Sequence, residues 1–209
     1  MIWGVLQFPG SCDERDALHA CGLLGEARMI WHEERELGDV DAIVIPGGFS
    51  YGDYLRAGAI ARFSPAMEAV AEHAAGGGPV LGICNGFQVL CEAGLLPGAL
   101  LLNDSLRFVH RQVDLLDDRG ERLSIPVKHG EGRYFAPEQM LDELEERGQI
   151  AFRYAPGENP NGSVRDFAGV RNEVGNVLGL MPHPEHAVDE LTGSTDGLKV
   201  FEALAGARA

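Results

Sequence analysis

The sequence predicts an α/β fold, an open, mainly parallel sheet with helices on both faces and an antiparallel extension in its second half. Three observations carry this. Short apolar, partly β-branched runs alternate with helix-periodic segments through the first half of the chain, the pattern of a parallel sheet covered by helices. From Leu100 the character changes, and two strand-like runs flank Asp117-Asp118-Arg119-Gly120, an acidic turn ending in glycine that suits an antiparallel hairpin. No linker, internal repeat or low-complexity tract interrupts the 209 residues, so a single domain over 1–209 is expected.

In order along the chain, residues 3–8 read as a strand, 14–24 as a helix, 28–31 and 42–45 as strands and 65–75 as a helix. Gly76-Gly77-Gly78 stops that helix. A strand at 80–83 runs into a helix at 86–93. The hairpin strands are 107–116 and 122–127, and a polar helix follows at 137–147. Strands near 150–154, 167–172 and 177–181 and a final helix at 196–207 complete the reading.

Charge narrows the partners. The chain carries 17 basic against 32 acidic residues, a formal net charge of −15, which repels nucleic acid and anionic membrane unless a basic patch intervenes. No Lys/Arg run supplies one. The first residues lack a basic segment and cleavage site, and no eighteen apolar residues follow one another, so a soluble cytoplasmic protein is expected. Cys12, Cys21, Cys84 and Cys91 form no C-x-x-C and have no paired histidines at metal spacing. Neither a metal site nor a disulfide framework is expected.

The most informative segment is Gly82-Ile83-Cys84-Asn85-Gly86, where a short apolar strand passes directly into a helix. That layout is a nucleophile elbow, with glycines that let the chain turn sharply around an exposed thiol. The helix N-terminus favours the thiolate, and its free N–H groups can hold an oxyanion. Ligands of open parallel sheets lie beyond the carboxyl ends of the strands. Two further features fall there: the glycine-rich loop Pro46-Gly47-Gly48-Phe49-Ser50-Tyr51-Gly52, and Met181-Pro182-His183-Pro184-Glu185-His186. A cysteine nucleophile needs a base, and the base needs a group that orients it. Cys84, His183 and Glu185 fill these roles, His183 and Glu185 pointing the same way if the chain is extended.

This combination of Pro-Gly-Gly loop, cysteine elbow and His-Pro-Glu resembles the class I (triad) glutamine amidotransferases. Further blocks, the long loop at 46–61, Lys128-His129-Gly130-Glu131-Gly132-Arg133-Tyr134 and Asn159-Pro160-Asn161-Gly162-Ser163, resemble the family of glutaminase subunits of phosphoribosylformylglycinamidine synthase. The resemblance spans nearly the whole chain and implies a flavodoxin-like fold. It implies hydrolysis of glutamine through a thioester on Cys84, with ammonia passed to a synthetase that amidates formylglycinamide ribonucleotide in purine biosynthesis. It further implies oxyanion-hole N–H groups at Gly48 and Asn85, and glutamine contacts from Gln88, Asn103, Ser105 and Phe108. The implied partners are a large synthetase subunit and a small third subunit, ATP and Mg being used by the synthetase and no cofactor by this chain.

Some features stand apart. His129 and Glu131 are read as part of a shaped loop rather than a metal pair, and Tyr51 and Arg56 as partner contacts or a lid. The segment Ser11-Cys12 is one residue shorter than is usual in the family, and His186 replaces a common arginine; neither departure is expected to touch the triad. Competing readings are a glutaminase serving cytidylate, guanylate or histidine synthesis, a free-standing cysteine hydrolase of the same fold, and a non-catalytic regulatory subunit. The match over 49–61 argues against the first, the His-Pro-Glu pairing against the second and the intact trio against the third.

Overall fold

Four-residue runs without a single charge, such as Ala42–Ile45 and Val80–Ile83, suit strands covered on both faces, and in the computed structural model, which describes residues 1–206, they are central strands. The strands are β1 (Ile2–Gln7), β2 (Glu26–Trp31), β3 (Ala42–Ile45), β4 (Val80–Ile83), β5 (Ala99–Leu101), β6 (Val109–Asp117), β7 (Arg122–His129), β8 (Arg133–Phe135), β9 (Ile150–Tyr154), β10 (Phe167–Arg171) and β11 (Val177–Leu180). The helices are α1 (Glu14–Gly22), α2 (Pro65–Ala75), α3 (Asn85–Glu92), α4 (Glu138–Glu146) and α5 (Gly197–Gly206). The main sheet runs β2-β1-β3-β4-β11-β10-β9-β6-β7. Its first five strands are parallel and the remainder antiparallel.

The parallel half has the flavodoxin-like order, in which the direction of strand addition reverses between β1 and β3. Right-handed crossovers then put α1 and α2 on opposite faces. Four neighbouring strands, β1, β3, β4 and β11, end side by side, and their next residues include Asp13, Gly48, Cys84 and His183. The antiparallel half returns to the same place. His183 N–H donates to Pro126 O of β7 at 2.8 Å, which brings Lys128 and His129 over the strand ends.

The hairpin forms as read, its turn held by Asp117 Oδ1 accepting from Arg119 and Glu121 N–H. β5 and β8, paired only with each other, are three residues long and gave no periodic signal. The last helix begins at Gly197; the part of its reading beyond residue 206 lies outside the described residues.

The elbow glycines have a different reason from the one expected. Neither Gly82 nor Gly86 has positive φ; Cys84 itself does, at φ 51° and ψ −102°. The glycines are needed for space. A Cβ on Gly86 would lie 1.9 Å from Ile45 O, and one on Gly82 would lie 2.5 Å from Leu90 Cδ1. Gly86→Ala is therefore expected to push α3 off β3, lowering stability by about 3 kcal/mol and displacing the thiol. Thermal denaturation alongside thiol alkylation rates checks this; a wild-type Tm would refute it.

Candidate active site

Cys84 caps the N-terminus of α3, and positive φ on a non-glycine residue is uncommon enough to mark a constrained position. Its thiol is buried, and Sγ lies 3.8 Å from Lys128 O. His183 and Glu185 are buried beside it. His183 Nδ1 is 2.6 Å from Glu185 Oε1, while Nε2, buried, has no hydrogen-bond partner. The contact is not made in extended chain as expected. Pro184–His186 form a 3-10 turn closed by His186 N–H to His183 O at 3.1 Å, and the turn folds the carboxylate back under the ring. Burial alone would lower the His183 pKa, but the charges of Glu185 and of a Cys84 thiolate outweigh it and raise it. The arrangement favours the imidazolium form of His183.

Cys84, His183 and Gly48 line one cavity of about 230 Å³, together with Cys12, Asp13, Phe49, Asp53, Gln88, Phe108, Lys128, His129 and Glu131. That is below the roughly 300–1,000 Å³ of drug-sized pockets, a size suited to a small metabolite. Gly47 O accepts from both Cys12 N–H at 3.1 Å and Asp13 N–H at 3.2 Å. In a trans peptide the Gly48 N–H must point the opposite way, so two hydrogen bonds set its direction.

The predicted glutamine contacts divide. Gln88 lines the cavity, but its Nε2 donates to Glu131 O at 2.6 Å and its Oε1 accepts from Asn85 Nδ2 at 2.9 Å. Phe108 lines it and is exposed. Asn103 and Ser105 do not. Asn103 is fully buried, its amide joined to Arg107 O, His129 O, Gly132 N–H and the His129 ring, so it shapes the 129–132 loop. Among the described residues Ser105 Oγ accepts only from Arg107 N–H, at 3.4 Å. Asn85 does more than offer an N–H: its Oδ1 accepts from Ser50 N–H at 3.0 Å, tying the glycine loop to the elbow. Tyr51 and Arg56 are bonded within the chain, to His32 at 2.6 Å and to Glu92 at 2.6 Å. The exposed large apolar side chains of that loop are Phe49, Tyr54 and Leu55.

The match of the whole chain to known proteins is close. The family of CobB/CobQ-like glutamine amidotransferase domains matches residues 4–199. Phosphoribosylformylglycinamidine synthase subunit PurQ of Nostoc sp. is 54% identical over 98% of this chain and 96% of its own length. The same subunit of Streptomyces avermitilis is 54% identical over 96% and 95%. The chain belongs to the glutamine amidotransferase family, with the PurQ subunits of phosphoribosylformylglycinamidine synthase. A chain of the PurLQS structure from Thermotoga maritima superposes with a TM-score of 0.90 at 41% identity, covering 100% of this chain and 99% of that one.

Compared with the expectations for this amidotransferase, the site holds three unforeseen residues. Asp13 is buried, its Oδ1 bonded to Lys128 Nζ and 3.3 Å from His186 Nε2, its Oδ2 3.6 Å from His183 Nδ1. Burial pushes its pKa up, but bonds to His186 and Lys128 and the charge of His183 win, holding it well below the carboxylate range. His186, expected to stand clear of the triad, touches it: Nε2 is 3.6 Å from Glu185 Oε1 and the two imidazole rings are 5.4 Å apart. The 3-10 turn causes this, since it brings residue 186 back beside 183. Asp13, His183, Glu185 and His186 also have ligand-type atoms within 4.8 Å of one another, but these atoms are committed to each other and the Lys128 ammonium opposes a cation. His129 is no acid/base group. Burial and the nearby His183 lower its pKa to about 4, and its two ring nitrogens meet Asn103 and Asn161. No helix among the described residues is long and apolar enough to cross a membrane.

Proposed function

We propose that this chain is the glutaminase of a phosphoribosylformylglycinamidine synthase, with Cys84 as nucleophile, His183 as general base and acid, and Glu185 as the group that orients His183. The observation that carries the reading is a cysteine at a positive-φ elbow sharing one cavity with a buried, carboxylate-bonded histidine. The Cys84 thiolate attacks the carboxamide carbon of glutamine, and the charge that develops on oxygen is taken up by the N–H groups of Gly48 and Asn85. His183 protonates the departing nitrogen, ammonia leaves, and a γ-glutamyl thioester remains. Water, deprotonated by His183, then releases glutamate and restores the thiol.

The ammonia is delivered to a large synthetase subunit that uses ATP and Mg to amidate formylglycinamide ribonucleotide, with a small third subunit completing the assembly. Similarity to PurQ proteins and to a chain of PurLQS supports this pairing. Phe49 and Phe108, exposed at the cavity, and the exposed Tyr54 and Leu55 of the loop after β3 supply apolar surface for the contact. The test is glutamine-dependent amidation of formylglycinamide ribonucleotide by the complex isolated with this chain. Amidation supported by ammonia but not by glutamine would overturn the reading.

A further inference from the structure

Asp13 stands where α1 begins, but its side chain does not cap the helix. Its main-chain oxygen accepts from Ala17 N–H at 2.9 Å, whereas its carboxylate takes no N–H of α1, the use an aspartate at this position ordinarily has. The carboxylate is buried and turned instead toward β7 and the turn after β11. Oδ1 is shared by Lys128 Nζ and by His186 Nε2 at 3.3 Å, and Oδ2 lies 3.6 Å from His183 Nδ1. That last distance is too long for a hydrogen bond, and Nδ1 already has Glu185 Oε1 at 2.6 Å. Asp13 therefore acts on the ring as a charge and through the groups it holds.

The same residue grips the glycine loop. Its N–H and that of Cys12 converge on Gly47 O, which sets the direction of the Gly48 N–H, and Ser11 and Gly48 pair in an isolated antiparallel bridge. A Cβ on Gly47 would lie 2.4 Å from Asp13 Oδ2 and 2.7 Å from His183 Cε1, so loop, carboxylate and ring pack against one another across the bare face of Gly47. Lys128 adds the nucleophile, since its main-chain O is 3.8 Å from Cys84 Sγ. Base, loop peptide and thiol meet at one aspartate–lysine pair whose members are 115 residues apart in sequence. We propose that Asp13 is a positioning residue for glutamine hydrolysis, holding the Gly47–Gly48 peptide through its main chain and the His183 ring through its carboxylate, with Lys128 as its counter-charge. This rests on the glutaminase reading, in which the Gly48 N–H meets the oxyanion.

Burial opposes the ionisation of Asp13, and His186, His183 and Lys128 overcome it. Reciprocally, the carboxylate favours the His183 imidazolium and the Lys128 ammonium opposes it. The other titratable groups about His183 are Glu185 and His186 of its own turn, Cys84 of the elbow and His129 of β7. Cys21 of α1, near Glu185, is pushed up to about 12 by burial and stays neutral. The experiment measures the pH dependence of kcat and kcat/KM for glutamine in the assembled complex carrying wild-type chain, Asp13→Asn, Lys128→Met or both, with ammonia-dependent synthesis reporting assembly. Asp13→Asn is expected to lower kcat by about 10- to 100-fold, the size of a small misplacement of reacting groups, with KM changed less than about threefold. It should move the His183 limb of the kcat/KM profile toward acid by about one pH unit. Lys128→Met leaves the carboxylate facing the ring without its counter-charge, so the limb should move toward alkali, and the double variant should bring it back to within about half a unit of wild type. Where one single variant does not assemble, the direction of the other's limb decides. A wild-type kcat for Asp13→Asn, a loss carried by KM alone, limbs that stay put or move the same way in both single variants, or failure of both to assemble overturns the assignment. Absence of glutamine turnover by the wild-type complex, with ammonia-dependent synthesis intact, would instead sink the glutaminase reading and take the assignment with it.

Discussion

Cys84→Ala is expected to abolish glutamine-dependent synthesis by the assembled complex, by about 10⁵-fold or more, and to leave its ammonia-dependent synthesis close to wild type. The thiol forms the only bond to the substrate carbon, so no neighbouring group replaces it. Water is a poor substitute, and His183 is tuned by Glu185 and by the thiolate itself. The synthetase step needs ammonia and ATP but not this sulfur. Alanine keeps the Cβ and the backbone strain of φ 51°, so elbow geometry and docking surface survive. Both rates are measured on one preparation, with assembly checked by size. Loss of both activities in an intact complex would count against the division of labour.

Much of this was legible in sequence because the relevant rules are local. β3 and β4 follow from uncharged four-residue runs, and the elbow from a strand that meets a helix within five residues. What was not legible depends on contacts remote in the chain. Asp13 and Lys128 are 115 residues apart, and nothing near Asp13 announces a buried carboxylate. His186 was misread because proximity to the triad comes from a 3-10 turn, whereas extended geometry would have pointed it away. The purpose of Gly86 was hidden likewise, since the atom it avoids, Ile45 O, belongs to another strand. Asn103 falls where glutamine contacts were expected, but its polar atoms are consumed by the loop it braces.

Glu185→Gln is expected to lower glutamine hydrolysis by about 10³-fold while KM for glutamine changes little, as for the orienting carboxylate of other triads. The carboxylate touches His183 at 2.6 Å and lines no part of the cavity. Its influence on the reaction therefore passes through the ring. It fixes Nδ1–H toward itself, leaves Nε2 for the substrate, and stabilises the imidazolium that forms when the thiol ionises. An amide keeps the volume but removes the charge, and it can turn its NH₂ toward Nδ1 and demand the wrong tautomer. Asp13 Oδ2, 3.6 Å from the same nitrogen, remains and sets a floor, so Asp13→Asn with Glu185→Gln should fall below the single variant. The pH profile supplies the decisive readout. Glu185 raises the His183 pKa; without it the imidazolium loses its proton at lower pH, so the limb of the kcat/KM profile governed by that proton must move toward acid. A purely structural role would lower activity without moving the limb, and a wild-type rate with an unmoved limb would remove Glu185 from the triad.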